Sequence, residues 1–171
     1  MIFTLHREQF IPSSIASVWA YFATPRNLND LTPPDMAFEI LAGADEPMYP
    51  GQIIQYKVTV LPGMRTIWLT QITHVQEPIR FIDEQRVGPY RLWIHEHRFQ
   101  PMNGGVRMTD HVTYALPYGP LGILVHKLFI RHRLEYIFDY RRAKIETLFG
   151  KSQNLCSLES LPKSERIGDL S

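Results

Sequence analysis

Trp93, His95, His97 and Phe99 stand at alternate positions and concentrate more chemistry than any other stretch of the chain. They follow the Gly88-Pro89 break in a run of strand character, and side chains two apart on a strand share a face. Two imidazoles therefore stand side by side between two large aromatics. A solvated face has no use for that mixture, and a plain core would not choose two histidines. It fits an inward face that is mostly apolar but keeps a few polar groups, as the wall of a ligand cavity does. A partner comes from Val106–Leu116, joined through Asn103-Gly104-Gly105. A four-residue loop over Met102–Gly105 sets Pro101 against Val106. It then sets Phe99 against Met108, His97 against Asp110, His95 against Val112 and Trp93 against Tyr114. Glu96 and His111, with Arg98 and Thr109, fall on the opposite face. Cross-strand neighbours stand about 5 Å apart, so His97 and Asp110 are within hydrogen-bonding reach.

Three readings follow. A His–Asp pair can be purely structural, each group satisfying the other in an interior where lone polar groups are costly. The same groups, with nearby tyrosines, can orient the polar end of an apolar guest. Or Asp110 can fix the tautomer of His97 and free its other nitrogen as a general acid or base, which makes His97 and Asp110 the catalytic candidates. No adjacent Ser, Cys or Thr is marked as a nucleophile, which argues against triad hydrolysis. His-x-His is also the spacing by which cupins hold a metal, but the glutamate their pattern needs is absent and Gln100-Pro101 occupies that region. Two histidines and one aspartate are a short ligand set for zinc. No metal and no cofactor is expected.

The bulk numbers place these residues in one ordinary domain. The chain has 171 residues, 44% hydrophobic and 20% charged, with a formal net charge of +1. That balance gives no electrostatic footprint for nucleic acid. Arg131-His132-Arg133 and Arg141-Arg142 are basic clusters, read as solvated faces of a helix. Cys156 is the one cysteine, so an internal disulfide is excluded and a reducing cytoplasm is expected. The opening MIFTLHREQF carries charges at Arg7 and Glu8 and is not a signal peptide. The longest apolar run, Leu121–Val125, is far too short to span a bilayer, so no stable membrane insertion is expected.

The elements that must position the histidines are readable from periodicity and turn residues. Phe3–Phe10 reads as a strand. A serine at Ser13-Ser14 caps a helix with Ile15, Val18, Trp19 and Phe22 at i, i+3, i+4 and i+7. Asn27–Leu31 reads as a second short helix, stopped by Thr32-Pro33-Pro34. Six strands follow: Ala37–Leu41, Ile53–Val60, Thr66–Val75, Phe81–Val87, Tyr90–Gln100 and Val106–Leu116. The connections, including Tyr49-Pro50-Gly51, Leu61-Pro62-Gly63 and Gly88-Pro89, are short, which predicts an antiparallel meander. Ile54, Tyr56, Val58 and Val60 mark one buried face. A long helix begins at Gly119-Pro120 with an apolar stripe of Ile130, Leu134, Ile137, Ile145 and Leu148, interrupted by Arg141. Its first part, Leu121–Phe129, is apolar nearly all round and is expected to be buried or to break near Arg131. Trp19, Trp68, Phe81 and Tyr90 read as core aromatics. Lys151–Ser171 is polar and aperiodic and reads as a disordered tail beyond a domain over residues 1–150.

These residues resemble a known superfamily. The opening Ile11-Pro-Ser…Val18-Trp19…Phe22, the element order and the long closing helix are similar to those of START-like (SRPBCC, birch-pollen-allergen-like) proteins. More narrowly, the chain resembles bacterial SRPBCC proteins of polyketide cyclase/dehydrase-like type. That likeness rests on Gly51-x-x-Ile54-x-Tyr56, on Asp83-x-Gln85-x-x-Gly88-Pro89-Tyr90-x-x-Trp93-x-His95-x-His97-x-Phe99, and on Asp110-x-Val112-x-Tyr114 with Pro117-x-Gly119-x-Leu121-Gly122. The resemblance covers residues 1–149. It implies an α+β helix-grip fold, in which a curved antiparallel sheet wraps a long C-terminal helix, with two short helices after the first strand and a hydrophobic cavity in between. Such proteins include lipid and sterol carriers, quinone-binding chaperones, hormone receptors and aromatase/cyclases, and fold alone does not select among them. The expectation is a cytoplasmic binder of a small, largely hydrophobic ligand (lipid, quinone or polyketide-like). Trp93, His95, His97, Phe99, Asp110, Val112, Tyr114 and Tyr56 are expected to contact it. The alternative is a cyclase or dehydratase using His97 and Asp110 in the same cavity.

Overall fold

Alternating β-branched and aromatic residues build seven strands: β1 (Phe3–Ile11), β2 (Glu39–Ala42), β3 (Ile53–Leu61), β4 (Met64–Gln76), β5 (Arg80–Val87), β6 (Leu92–Met102) and β7 (Gly105–Ala115). The computed structural model describes residues 1–61 and 63–151. Pro62, Cys156 and the expected tail beyond Lys151 lie outside the described residues. The strands form one antiparallel sheet in the order β1-β7-β6-β5-β4-β3-β2. Register breaks in β2–β3, β3–β4 and β4–β5 bend it.

The β6–β7 register is the expected one at every pair from Trp93↔Tyr114 to Pro101↔Val106. The connection is tighter than expected. Pairing continues to Met102↔Gly105, so Asn103-Gly104 alone makes the turn, with Gly104 at φ +80°. Both loops place Pro101 opposite Val106, which is why the register survives the difference.

Helix α1 (Ile15–Phe22) starts where Ser14 Oγ accepts from the Ser17 amide at 3.1 Å, and it buries Val18, Trp19 and Phe22. The second short helix is a 3₁₀ segment, Pro25–Asn29, followed by another over Pro34–Met36. Each has a proline in its first turn, where a missing N–H costs nothing, and the closely spaced prolines keep either from growing into an α-helix.

The C-terminal helix runs as α2 (Gly119–Val125), a π-helical turn (His126–Ile130) and α3 (Arg131–Phe149). Of the two alternatives for Leu121–Phe129, the break near Arg131 is the one observed, and the expected stripe is corrected. Leu121, Leu124, Leu128 and Phe129 are exposed rather than buried all round. The buried stripe is Ile130, Leu134, Phe138, Arg141 and Ile145, so Phe138 replaces Ile137 and the exposed Leu148 drops out. That stripe follows i+4, i+4, i+3, i+4, the spacing of a single helix face. Among the described residues no helix is long and apolar enough to cross a membrane.

The inward face carries two apolar clusters. One joins Tyr56, Val58, Trp68 and Trp93 of the sheet and Tyr90 of the β5–β6 connection to Leu134 and Phe138 of α3. The other joins Phe81, Phe99 and Met108 to Trp19 and Phe22 of α1 and Ile145 of α3. Along β6, Trp93 belongs to the first and Phe99 to the second. His95 and His97 lie on the seam.

Candidate functional site

The seam holds four titratable groups in mutual contact. Asp110, on β7, faces His97 across the strand pair, and Asp83, on β5, faces His95 on the other side. The two rings overlap with centroids 3.7 Å apart. Each imidazole is bracketed by both carboxylates. His95 Nε2 donates to Asp110 Oδ1 at 2.9 Å, while its Nδ1 stands 3.6 Å from Asp83 Oδ2. His97 Nε2 donates to Asp83 Oδ2 at 3.2 Å. His97 Nδ1 lies 2.9 Å from Asp110 Oδ1 but is not aimed along a hydrogen-bond line. The diagonal neighbour His95, rather than the directly opposite His97, thus makes the well-directed bond to Asp110. Phe81 stacks on His97 at 4.2 Å, and Trp93 and Phe138 present their rings near-perpendicular to His95.

Electrostatics favours the charged form of three of the four groups and opposes it on the fourth. Burial opposes charge on Asp110, but His95 and His97 outweigh it and hold that carboxyl far below the usual range. Asp83 is lowered in the same way, against its burial, first by the His97 hydrogen bond. Burial opposes a charged His97 too, yet contact with Asp110 and Asp83 raises its pKa. At His95 burial wins, helped by the neighbouring His97, and the ring is held neutral. Sign follows for stability. A raised pKa contributes stability that is complete below the ordinary value of 6.5 and is lost as pH rises through the folded value. His95, Asp83 and Asp110 have lowered values, so their contributions fade only on the acid side. Arg141 is the other charge facing the site. The melting temperature is therefore expected to fall as pH is raised above 6.5, and His97→Gln is expected to flatten that slope. Thermal unfolding of both chains from pH 5.5 to 9 checks it, and parallel slopes would refute the assignment.

Arg141 is the residue that periodicity passed over as an interruption and charge clustering read as solvated. It is buried, with its guanidinium carbon 5.1 Å from the Phe138 ring centre and Nη1 3.9 Å from Asp110 Oδ1. Its Nε and Nη1 are buried without hydrogen-bond partners. Arg131 and Arg142 behave as solvated groups, pairing with Glu135 and Glu146, whereas Arg133 is part-buried, pairs with Asp35 and borders the cavity.

Between the sheet and α3 lies a cavity of about 150 Å³. Its wall is mainly apolar and aromatic, with Ile54, Tyr56, Val58, Trp68 and Trp93 from the sheet, Tyr90 from the β5–β6 connection, and Leu134 and Phe138 from the helix. Asp83, His95, His97, Arg133 and Arg141 are the charged and imidazole groups that border it. Tyr56 and Thr70 share a buried hydrogen bond of 2.9 Å on the wall, and burial keeps the Tyr56 phenol protonated.

Of the eight expected contact residues, the structure places Trp93, His95, His97 and Tyr56 at the cavity. Phe99, Asp110, Val112 and Tyr114 do not border it. Phe99 packs into the second cluster against Trp19 and Phe22. Asp110 lies behind the histidines. Val112 is fully covered, and Tyr114 turns its hydroxyl to His126 Nε2 at 2.8 Å. Sharing a strand face with the histidines is not enough, because helix packing closes the β1–β7 half of that face. Trp68, Phe81 and Tyr90, read as core, are buried and also border the cavity. Asp83 was visible in the sequence motif without a role. The same motif has a local explanation: the Gln85 side chain donates to Tyr90 O at 2.7 Å and accepts from Tyr90 N at 3.2 Å, which anchors the β5–β6 connection. A Cβ at position 88 would sit 2.4 Å from Gln85 Oε1, so glycine is required there.

No protein-family model and no curated protein sequence matches the chain. Its fold has many solved counterparts. Protein Ms6760 from Mycobacterium smegmatis is 19% identical over 85% of this chain and 92% of that one, with a TM-score of 0.60. Protein CV1439 from Chromobacterium violaceum is 12% identical over 87% and 99%, with a TM-score of 0.66. Ara h 8.0201 is 18% identical over 86% and 99%, with a TM-score of 0.56. At these identities the likeness is one of fold, and the fold is the α+β helix-grip of START-like and birch-pollen-allergen-like proteins.

Proposed function

We propose that this chain binds or carries a small, largely hydrophobic ligand in the cavity between the sheet and α3. The observation behind this reading is a predominantly apolar, aromatic wall that carries a few polar groups, among them Asp83, His95, His97 and Arg141. That is the usual design of a small-molecule site, in which apolar surface supplies affinity and a few polar groups fix orientation. The volume of about 150 Å³ favours a guest of about one ring over a whole lipid. Arg141, with two unpartnered donor nitrogens beside the cavity, favours a guest whose polar end is an acceptor, such as a carbonyl, phenolate or carboxylate oxygen. The acid/base alternative through His97 and Asp110 has less to stand on. Both nitrogens of His97 already face carboxylates, so neither is free to take a substrate proton.

Native mass spectrometry of the protein as purified from cells, followed by solvent extraction, tests the proposal directly. A stoichiometric organic guest is expected. Val58 is buried on the cavity wall, so Val58→Phe is expected to fill the space and weaken guest binding by at least about tenfold while the chain remains folded. An empty protein that also takes up no single-ring carbonyl, phenol or acid would sink the reading.

A further inference from the structure

The cavity side of the histidine cluster has the makings of a second kind of site. Asp83 Oδ2 stands 3.6 Å from His95 Nδ1 and 3.2 Å from His97 Nε2, and Asp83, His95 and His97 each bring one ligand atom within 4.8 Å of the other two. An ion bound through bonds of about 2.0–2.2 Å holds its ligand atoms about 3.0–3.5 Å apart, so the two spacings to Asp83 are already close to those of a coordination sphere. The far nitrogens, His95 Nε2 and His97 Nδ1, both lie 2.9 Å from Asp110 Oδ1. A carboxylate behind a metal-ligating imidazole fixes its tautomer and raises its basicity, and here one carboxylate stands behind both rings. Because His95 donates from Nε2, its Nδ1 lone pair faces an anionic oxygen, an opposition that a cation between them removes. Two buried carboxylates also match the charge of a divalent ion. Asp83, His95 and His97 border the cavity and Asp110 does not, so the remaining coordination positions would open onto the guest space.

We infer that Asp83 Oδ2, His95 Nδ1 and His97 Nε2 form a three-ligand site for a first-row divalent metal ion, zinc foremost, the ion replacing the proton that His97 Nε2 donates to Asp83 and releasing it to solvent, with Asp110 behind both imidazoles. Two histidines and one carboxylate with open positions suit ions of the iron-to-zinc series rather than magnesium or calcium, which prefer all-oxygen shells. The sequence expectation of no metal counted Asp110 as the third ligand. The third ligand comes instead from β5, on the other side of β6. The site does not require the proposed guest. It would give the guest's acceptor end an ion to coordinate.

Titration of the chelator-stripped full chain with Zn²⁺, and with Co²⁺ as an optical probe, tests the inference against Mg²⁺ and Ca²⁺ controls. One equivalent of Zn²⁺ or Co²⁺ is expected to bind, with visible Co²⁺ bands of nitrogen–oxygen coordination. Asp110→Asn should weaken binding about 10–100-fold, and Asp83→Asn and His95→Gln by more than about 100-fold. His111→Ala, on the outer face opposite Glu96, should leave it unchanged. Imidazole ¹⁵N spectra of the unmodified chain give a readout independent of how any variant folds. Zn²⁺ should shift His95 Nδ1 and His97 Nε2 together. Failure to bind at one equivalent, shifts confined to other histidines, or full affinity in a folded Asp83→Asn would each overturn the site. None of these results bears on the organic guest, which extraction detects separately.

Discussion

Replacing Asp110 with alanine is expected to destabilise the chain by about 3–5 kcal/mol, the range for breaking a buried ionic cluster by removing one partner. Asp110 is 7% exposed, and its Oδ1 accepts from His95, contacts His97 at 2.9 Å and stands 3.9 Å from Arg141. Alanine would strand the His95 N–H and leave His97 with Asp83 alone. Arg141 would lose its nearest counter-charge in a place that water reaches poorly. Asparagine keeps the volume and one acceptor, so its penalty should be smaller. Urea unfolding at pH 7 distinguishes the two. A loss below about 1 kcal/mol for alanine would mean that solvent enters the seam and screens the cluster. Domains of this size have a total stability of roughly 5–15 kcal/mol, so a loss of this size is a large fraction of the whole.

Phe99→Ala is expected to cost a similar amount, about 3–5 kcal/mol, through the void it leaves. Phe99 is 1% exposed and meets Trp19 edge-on at 5.8 Å, Phe22 at 5.2 Å and Phe81 at 6.1 Å. These partners come from α1 and the sheet, so the site cannot collapse without moving the helix. Since Phe99 does not border the cavity, guest affinity should be unchanged under conditions where the variant is folded. Val58→Phe should do the reverse, sparing the fold and blocking the guest. The contrast is measured by denaturation and ligand titration on both variants. Loss of guest binding in folded Phe99→Ala would return that residue to the cavity wall.

Much of this arrangement was legible in the sequence because it follows from period two and one turn. Alternation along Trp93–Phe99 gave the direction of the histidines, and Asn103-Gly104 set the β6–β7 register closely enough to pair His97 with Asp110. Asp83 was harder to place. Its register against His95 depends on how the Gly88-Pro89 connection is held, and that depends on a Gln85 side chain bonding a backbone five residues away. Arg141 was hidden for a different reason. Helical periodicity scores charge as an interruption, whereas the fold buries this arginine within the stripe. Phe99, Val112 and Tyr114 show a limit of the same logic: a strand pattern assigns a face, but packing of α1 and the C-terminal helix decides which part of that face stays open.

The placement of the tryptophans has an optical consequence. Trp68 and Trp93 meet edge-to-face at 5.3 Å on the cavity wall, while Trp19, the third indole in the chain, is packed among phenylalanines of the other cluster. The chain thus carries two reporters at the site and one internal reference, with no label required. Anything that enters the cavity changes the surroundings of the first pair and leaves the third in place, so occupancy can be followed by emission from the unmodified protein.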